Sequence, residues 1–421
     1  MLTKIIKFLN NLDKFPFYTI SLLPYSFGNS LEQIKFGSVV AKKRNKSLIF
    51  ITATIAPKFL KYKIVSKFLL SEVSISKKSI IYIFFKKFFE ILLNLEFFFK
   101  RLYFLYYEKK IKNIQEFDFP YLGLEDFHAK KTIVRFNEIE KFDDLKLSLI
   151  IPKKFDKKSS DLLNKIGVKK NSKMVCIHVR DARYHNDLGR RDFRNPNIEN
   201  YYESIHYLLN KGYSVIRLGV VAEKKYEIYH DNLFDLPFIL DPKEIEYLQF
   251  YVVKHCSFFI AHDSGPQYIP WFYGKPTLFT NIIKPFSLNS PGINCRYTTR
   301  QFYDLKNNKL LSLNEYLKLP FKYHETKFID DSIRFIENSS EDLLNSLVEF
   351  ENNYIKNSWD LSETQIRYNQ NLKIRLEEML DYEGEDENEF LQKMKYKVLF
   401  TKNCKSNKGS VTNYILSKNF V

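Results

Sequence analysis

The chain has only four cysteines in 421 residues, Cys176, Cys256, Cys295 and Cys404. Their spacing fits no zinc ribbon or finger, and they are too few for a disulfide scaffold. Cys176 and Cys256 sit in or beside apolar runs and read as small core residues of a protein from a reducing compartment. Phosphate-loop glycines are missing too. There is no GxxxxGK[ST] and no GxGxxG, which weakens simple ATPase and dehydrogenase readings. No stretch approaches the ~20 uncharged apolar residues of a spanning helix. The N-terminus lacks the long apolar core and small-residue cleavage site of a secretory signal, so a cytoplasmic protein is expected. No DxD-like pair stands at a strand end; Asp143-Asp144 and Asp330-Asp331 lie in poor contexts. No resident metal or cofactor is expected, and no internal repeat is found.

What the chain does have is positive charge: 66 Lys and Arg against 49 Asp and Glu, a net +17. That balance favours anionic partners such as nucleic acid, acidic lipid or phosphorylated substrates. Richness in Lys, Asn, Ile and Phe with few Gly and Ala is also the drift of an AT-rich genome, which produces charge without function. The length exceeds what one growing core supports, and the 45% hydrophobic content is ample for globular cores, so two domains are expected.

One polar stretch organises the chain: MVCIHVRDARYHNDLGRRDFRN, residues 174–195. It opens as the apolar run Met174–Val179, a buried strand. It then turns ionic, with His178, Arg180, Asp181, Arg183, His185, Asp187, Arg190, Arg191, Asp192 and Arg194. Lys dominates elsewhere, whereas this stretch uses Arg, whose planar fork grips phosphate or carboxylate with paired bonds. The other reading is a surface loop laced with internal salt bridges.

Upstream, Thr19–Tyr25, a turn at Gly28-Asn29-Ser30, an amphipathic helix and Ser47–Ala53 read as a β-loop-α-β unit, with Ser30 able to cap the helix. Residues 80–110 interleave apolar runs with Lys86, Lys87, Lys100, Arg101, Lys109 and Lys110. Two readings stand for them: a helix lying in a membrane interface, or a pair of amphipathic helices packed on the N-terminal domain. Downstream of the Arg-rich stretch, a helix is expected over 197–210, strands at Tyr213–Leu218, Ser257–Ala261 and Pro276–Thr280, a helix over Glu244–His255 and a short one over Pro266–Tyr273. Residues 282–311 read as irregular. Helices return in SLNEYLKL, at Ser339–Tyr354 and over 362–382.

Strands alternating with helices imply a parallel sheet. Arg180 and Asp181, Gly219, Asp263 to Gly265, and Asn281 then fall at carboxyl ends of strands and line one sheet edge, where open α/β sheets bind ligands. In the DSGPQ turn, Ser264, Gly265 and Gln267 open a helix whose free N–H groups suit an anion. Arg217 closes the second strand beside Gly219. With His178, Arg190, Asp192 and Arg194, these residues form the expected donor-binding set around a diphosphate.

HVRDARYHNDLGRRDFRN, the YSVIRLG strand and SFFIAHDSGPQYIPWFYGKPTLFTN together resemble a family of bacterial glycosyltransferases. HVRD and FFIAHDSG are more remotely similar to donor-binding motifs of GDP-fucose-dependent fucosyltransferases. The resemblance covers about residues 174–281. It implies a GT-B-like α/β fold of two Rossmann-like lobes, usually without a metal. It also implies that Arg180 and Arg191 engage the nucleotide sugar, and Ser264 and Gly265 its phosphates.

The expected organisation is an N-terminal acceptor lobe (1–165), a nucleotide-sugar lobe (166–330) and a helical tail (331–421). The expected activity is sugar transfer from a nucleotide-sugar co-substrate to a glycan, lipid-linked or protein acceptor, in surface-polysaccharide or glycoconjugate assembly. Arg180 and Arg191 would stabilise the leaving charge, and Asp181, His185 or Asp187 would act as base. An anionic membrane surface is a further expected partner, with the protein peripheral at the inner face of the cell membrane. The rivals are another phosphate-handling transferase on the same fold and a non-enzymatic nucleic-acid-binding protein. The latter would need basic residues interleaved with exposed aromatics along one groove. Here Lys is spread along the chain and Arg gathers at a strand end, so no nucleic-acid partner is expected.

Overall fold

The computed structural model describes residues 2–22, 27–52, 66–75, 79–107, 148–181, 183, 194–262, 264–283, 294–312, 315, 332–381 and 409–419. Among these residues the chain divides into two compact units between Asp156 and Lys157. The expected SLNEYLKL helix lies almost wholly outside the described residues.

In the first unit, α1 (Leu2–Asn11) precedes β1 (Phe17–Ser21). Then come α2 (Phe27–Lys43) and β2 (Ser47–Ile51), which pairs in parallel with β1. Parallel neighbours need a crossover, and α2 supplies it. Gly28, Asn29 and Ser30 lie in the first turn of α2 rather than in a preceding loop. The Asn10 side chain fastens α1 to β1, bonding both the amide and the carbonyl of Thr19 at 2.8 Å. After the short α3 (Lys67–Ser71), capped by Ser66, comes α4 (Ile80–Tyr107). It is one helix of 28 residues instead of the expected pair, because its sequence holds no Gly or Pro to break it. One face, Tyr82, Phe89 and Leu93, closes a core with Ile6, Phe17, Ile49 and Ile51.

The second unit begins within α5 (Lys153–Lys165). The chain then lays down β3 (Met174–His178), α6 (Tyr202–Asn210), β4 (Ser214–Arg217) and β5 (Leu233–Asp235). The short α7 (Leu236–Ile239) and α8 (Pro242–His255) lead to β6 (Phe258–His262), α9 (Ile269–Phe272), β7 (Thr277–Ile282) and β8 (Cys295–Thr299). A separate antiparallel sheet holds β9 (Gln301–Asp304), β10 (Lys309–Leu311) and β11 (Ile333–Ile336). Then follow α10 (Ser340–Lys356), α11 (Glu363–Asp381), β12 (Ser410–Val411) and α12 (Asn413–Asn419). The expectation of an irregular chain over 282–311 is therefore corrected: β8, β9 and β10 form there.

Seven strands make one parallel sheet in the order β12-β8-β7-β6-β3-β4-β5. From β3 the chain builds outward through β4 to β5, then crosses back to continue as β6, β7 and β8 on the other side of β3. This is the doubly wound arrangement, with its switch point between β3 and β6. Both faces are covered, which is why the strands read as apolar runs. On one face Val175, Ile177, Val215, Phe258 and Ile260 pack with α6 and with Leu343, Leu347 and Phe350 of α10. On the other, α8 buries Ile245, Leu248 and Val252. The first turn of α8 forms earlier than expected because Asp241 and Glu244 make a capping box there.

Asn281 departs from expectation. It was placed at the end of the fourth strand, but β7 runs on through Ile282, and Asn281 sits inside it with a left-handed φ of +56° where the pairing with β8 slips register. Its amide donates to Thr298 Oγ1 (2.9 Å) and Asn338 Oδ1 (3.2 Å), and its Nδ2 to Tyr201 Oη (3.1 Å). Asn338 returns the bond, donating its amide to Asn281 Oδ1 (2.8 Å) and its Nδ2 to the Thr299 carbonyl (2.9 Å). All of these residues are buried. Replacing Asn338 with Leu keeps volume but strands several buried partners, at about 1–3 kcal/mol each. The expected result is a melting temperature lowered by roughly 4–10 °C in scanning calorimetry. An unchanged transition would show that the knot adds no stability.

Candidate functional site at the sheet switch point

β3 and β6 run side by side, His178 opposite Ala261, so their carboxyl ends open together. His178 donates its Nδ1 proton to the Leu218 carbonyl at 3.1 Å. A carbonyl can only accept, so in the neutral ring Nε2 is the unprotonated nitrogen. Gly219 makes this seat: its φ is +132°, and a Cβ there would lie 3.7 Å from the imidazole. Burial pushes the His178 pKa down to about 4, opposed by the Leu218 bond and helped by the charges of Arg217 and Arg180.

His262 closes β6 and is 1% exposed. Neither ring nitrogen has a hydrogen-bond partner among the described residues. Its pKa is held well below the usual histidine range, first by burial and then by the positive charges of Arg300, Arg194 and Arg180. A neutral imidazole thus stands amid arginines. Arg180, just past β3, is 6% exposed and bonds Asn195 Oδ1. Arg300, just past β8, is 3% exposed, and its amide donates to the Ile282 carbonyl at 2.9 Å. Three strand ends therefore deliver this cluster.

Of the residues expected from sequence, His178, Arg180 and Arg194 come together here. Asp181 has other partners. Its Oδ1 accepts from the Arg183 amide and its Oδ2 from the Glu223 amide, both at 3.0 Å, with Arg217 Nη2 at 3.8 Å. Arg217 is 1% exposed and points into the protein. Its Nη1 donates to both oxygens of Asp235 (3.3 and 3.2 Å) and to the Lys224 carbonyl (2.7 Å), and its guanidinium lies over the Tyr226 ring. Asp235 is pushed up by burial and pulled back by Arg217.

Ser264 donates to the His262 carbonyl at 3.1 Å. Gly265–Tyr268 forms a four-residue 3₁₀ turn leading into α9, not the expected single helix over Pro266–Tyr273. So short a turn offers free N–H groups but little macrodipole. Gln267 is buried, and its Oε1 has no partner among the described residues. Asn281 belongs to the buried knot described above. His185, Asp187, Arg190, Arg191, Asp192 and Asp263 lie outside the described residues. Among the described residues no three His, Cys, Asp or Glu side chains gather as a metal-binding group.

Arg300 and His262 were not among the expected residues. The signal for Arg300 was an Arg in a Lys-rich chain, directly after the buried run Cys295–Thr299 that had read as irregular. His262 stood one residue before the DSGPQ turn.

The molecule is thus an α/β protein whose second unit is a doubly wound, Rossmann-like parallel sheet with a basic cluster at its switch point. No family model and no curated protein matches the sequence. Among solved structures, the glycosyl transferase family 9 from Veillonella parvula DSM 2008 superposes with a TM-score of 0.39 at 11% identity, covering 69% of this chain and 88% of that one. A likeness of that strength leaves function to be argued from the residues.

The two histidines tie stability to pH. Folded His178 protonates near pH 4, an unfolded histidine near 6.5. Between those values the unfolded chain binds more protons, so stability is intact above about pH 6.5 and falls as pH drops towards 4. One such proton gives a slope of up to about 1.4 kcal/mol per pH unit. Melting temperatures recorded from about pH 7.5 to about 4.5 should show His178→Gln less acid-sensitive than the parent. Parallel curves would remove His178 from this linkage.

Proposed function

We propose that this protein is a glycosyltransferase that moves a sugar from a nucleotide-sugar donor to an acceptor hydroxyl on a glycan, lipid-linked carrier or protein, in surface-polysaccharide or glycoconjugate assembly. The carrying observation is that Arg180, the buried His262 and Arg300 stand at the carboxyl ends of β3, β6 and β8, on one edge of the parallel sheet, with Arg180, Arg194 and Arg300 all lowering the pKa of His262. A departing nucleoside diphosphate gains charge as the anomeric bond breaks. Fixed guanidinium groups in a water-poor setting stabilise that charge more than they stabilise the intact donor. The resemblance of 174–281 to bacterial glycosyltransferases, and remotely to GDP-fucose-dependent fucosyltransferases, supports the same reading and a GT-B arrangement.

In this scheme Arg180, Arg194 and Arg300, with Arg190 and Arg191 of the same Arg-rich stretch, bind the diphosphate. Ser264 and Gly265 offer it hydroxyl and amide donors, with Asp192, Asp263 and Gln267 nearby in sequence for the sugar or nucleoside. His262, whose ring is neutral, hydrogen-bonds the donor without adding charge. The acceptor proton goes to His185 or Asp187. Asp181 is set aside as base because both of its oxygens already accept backbone amides. Arg217 acts by holding the scaffold. Positive side chains take the part a divalent ion would otherwise fill.

A thermal-shift screen with nucleoside diphosphates and nucleotide sugars identifies the donor, and turnover with that donor follows. Arg180→Ala, Arg300→Lys and Arg191→Lys should each lower kcat by a few hundred-fold to a thousand-fold, about 3–4 kcal/mol, with smaller changes in donor affinity. Lys retains charge but not the fork, so it does not rescue. Arg217→Met should instead strand the buried Asp235 and cost about 3–5 kcal/mol of stability. Near-normal turnover in all three site variants would reject the diphosphate reading. Protection by nucleoside diphosphates alone, with no sugar nucleotide effective, would favour a different phosphate-handling transferase.

Turnover should also persist in excess EDTA. Loss of activity restored by Mg²⁺ or Mn²⁺ would show that the arginines do not suffice.

A further inference from the structure

α4 uses only one of its faces in the core of the first unit. Tyr82, Phe89 and Leu93 point inward, each no more than 3% exposed. On the other side Ile81, Phe84, Phe88, Ile91, Leu95 and Phe98 are 38–62% exposed. Their separations alternate between three and four residues, which sets them in a single stripe. The stripe holds no charged residue, and Phe84 and Phe88 lie parallel along it, ring planes 4° apart. Lys87 is exposed on the same helix. α1 packs on the inner face of α4 through Ile6 and exposes Ile5 (42%) and Phe8 (63%).

Scattered apolar side chains at a surface need no explanation, but an uninterrupted stripe marks an interaction face. Charge decides its partner. α1 and α4 carry Lys4, Lys7, Lys86, Lys87, Lys100 and Arg101 against Glu90 and Glu96, six positive residues to two negative. Lys86 is turned inward, bonding the Phe50 and Leu70 carbonyls at 3.0 Å and pairing with Glu90. A second copy would bring together two helix pairs of net positive charge, whereas acidic lipid complements them. Among the described residues no helix is long and apolar enough to cross a membrane. An exposed apolar stripe on a helix of net positive charge, with Lys87 exposed on it, suits a helix lying in the headgroup layer.

We propose that the outer face of α4, with α1 beside it, seats the first unit on an anionic bilayer. Phe84 and Phe88 enter the acyl boundary, and Lys87 contacts the headgroups. The inference rests on the first unit alone and does not depend on sugar transfer.

The test uses the full chain with vesicles of phosphatidylcholine, with and without phosphatidylglycerol. Co-sedimentation should require the anionic lipid and weaken as salt rises. The double variant Phe84→Asp, Phe88→Asp should lose binding by more than roughly tenfold, and Lys87→Gln by roughly fivefold. Both should keep the parental melting temperature, because these side chains are exposed. Donor binding should be unaffected, which separates this outcome from failure of the transferase reading. Equal recovery with neutral and anionic vesicles, or binding indifferent to the Phe84 and Phe88 changes, overturns the proposal. So does a concentration-dependent dimer, abolished by the double variant, in a protein that ignores vesicles; the face would then belong to a second copy.

Discussion

A guanidinium at 1% exposure needs its charge answered, and Arg217, whose Nη1 is hydrogen-bonded while Nη2 has only the Asp181 carboxylate at 3.8 Å, dictates much of the second unit on that account. Asp235 meets it from β5, Lys224 supplies a carbonyl, Tyr226 covers its plane, and Asp181 approaches from beyond β3. Asp235 also accepts the Tyr226 amide at 3.0 Å, so the loop between β4 and β5 is drawn back over the strand it leaves. Gly219 starts that loop and seats His178. The position of the switch-point imidazole thus depends on a charge pair on its far side.

The local pattern was legible where burial and polarity agree. Met174–His178, Tyr202–Asn210, Ser214–Arg217, Pro242–His255 and Phe258–His262 carry apolar residues because the sheet is covered on both faces, and the sequence places each within a few residues; the three-residue β5 and the short α7 after it are too brief to give a period and have no sequence counterpart. The pattern failed where buried residues are polar. β8 reads Cys-Arg-Tyr-Thr-Thr, yet Arg296 is buried, with its charge answered by carbonyls of Cys295 and Trp359. Thr298 is likewise satisfied by Asn338, 40 positions away. Such partners are invisible to any local window, and so was the edge to which β8 carries Arg300. Asn281 misled for the same reason: an Asn near a strand end is equally suited to a ligand and to a buried knot.

α4 posed the opposite difficulty. Apolar residues occur on almost every side, so the helical period could not separate a core face from a surface face. The structure divides them by contact. Tyr82, Phe89 and Leu93 meet β1, β2 and α1, while Phe84 and Phe88 meet solvent. The packed and the interfacial readings do not exclude one another, because one long helix has both a core face and an exposed apolar face.

β12 has two residues, Ser410 and Val411, paired beside Arg296 and Tyr297 of β8. It closes one margin of the seven-stranded sheet from far along the chain. On a ribosome, β8 emerges roughly a hundred residues before its last neighbour and waits on the order of ten seconds for it. Throughout that interval the backbone amides and carbonyls of β8 that later face β12 form an open ladder. Newly made chains are therefore most vulnerable to strand-to-strand association between the synthesis of Thr299 and that of Ser410, a window set by topology and not by the stability of the finished protein.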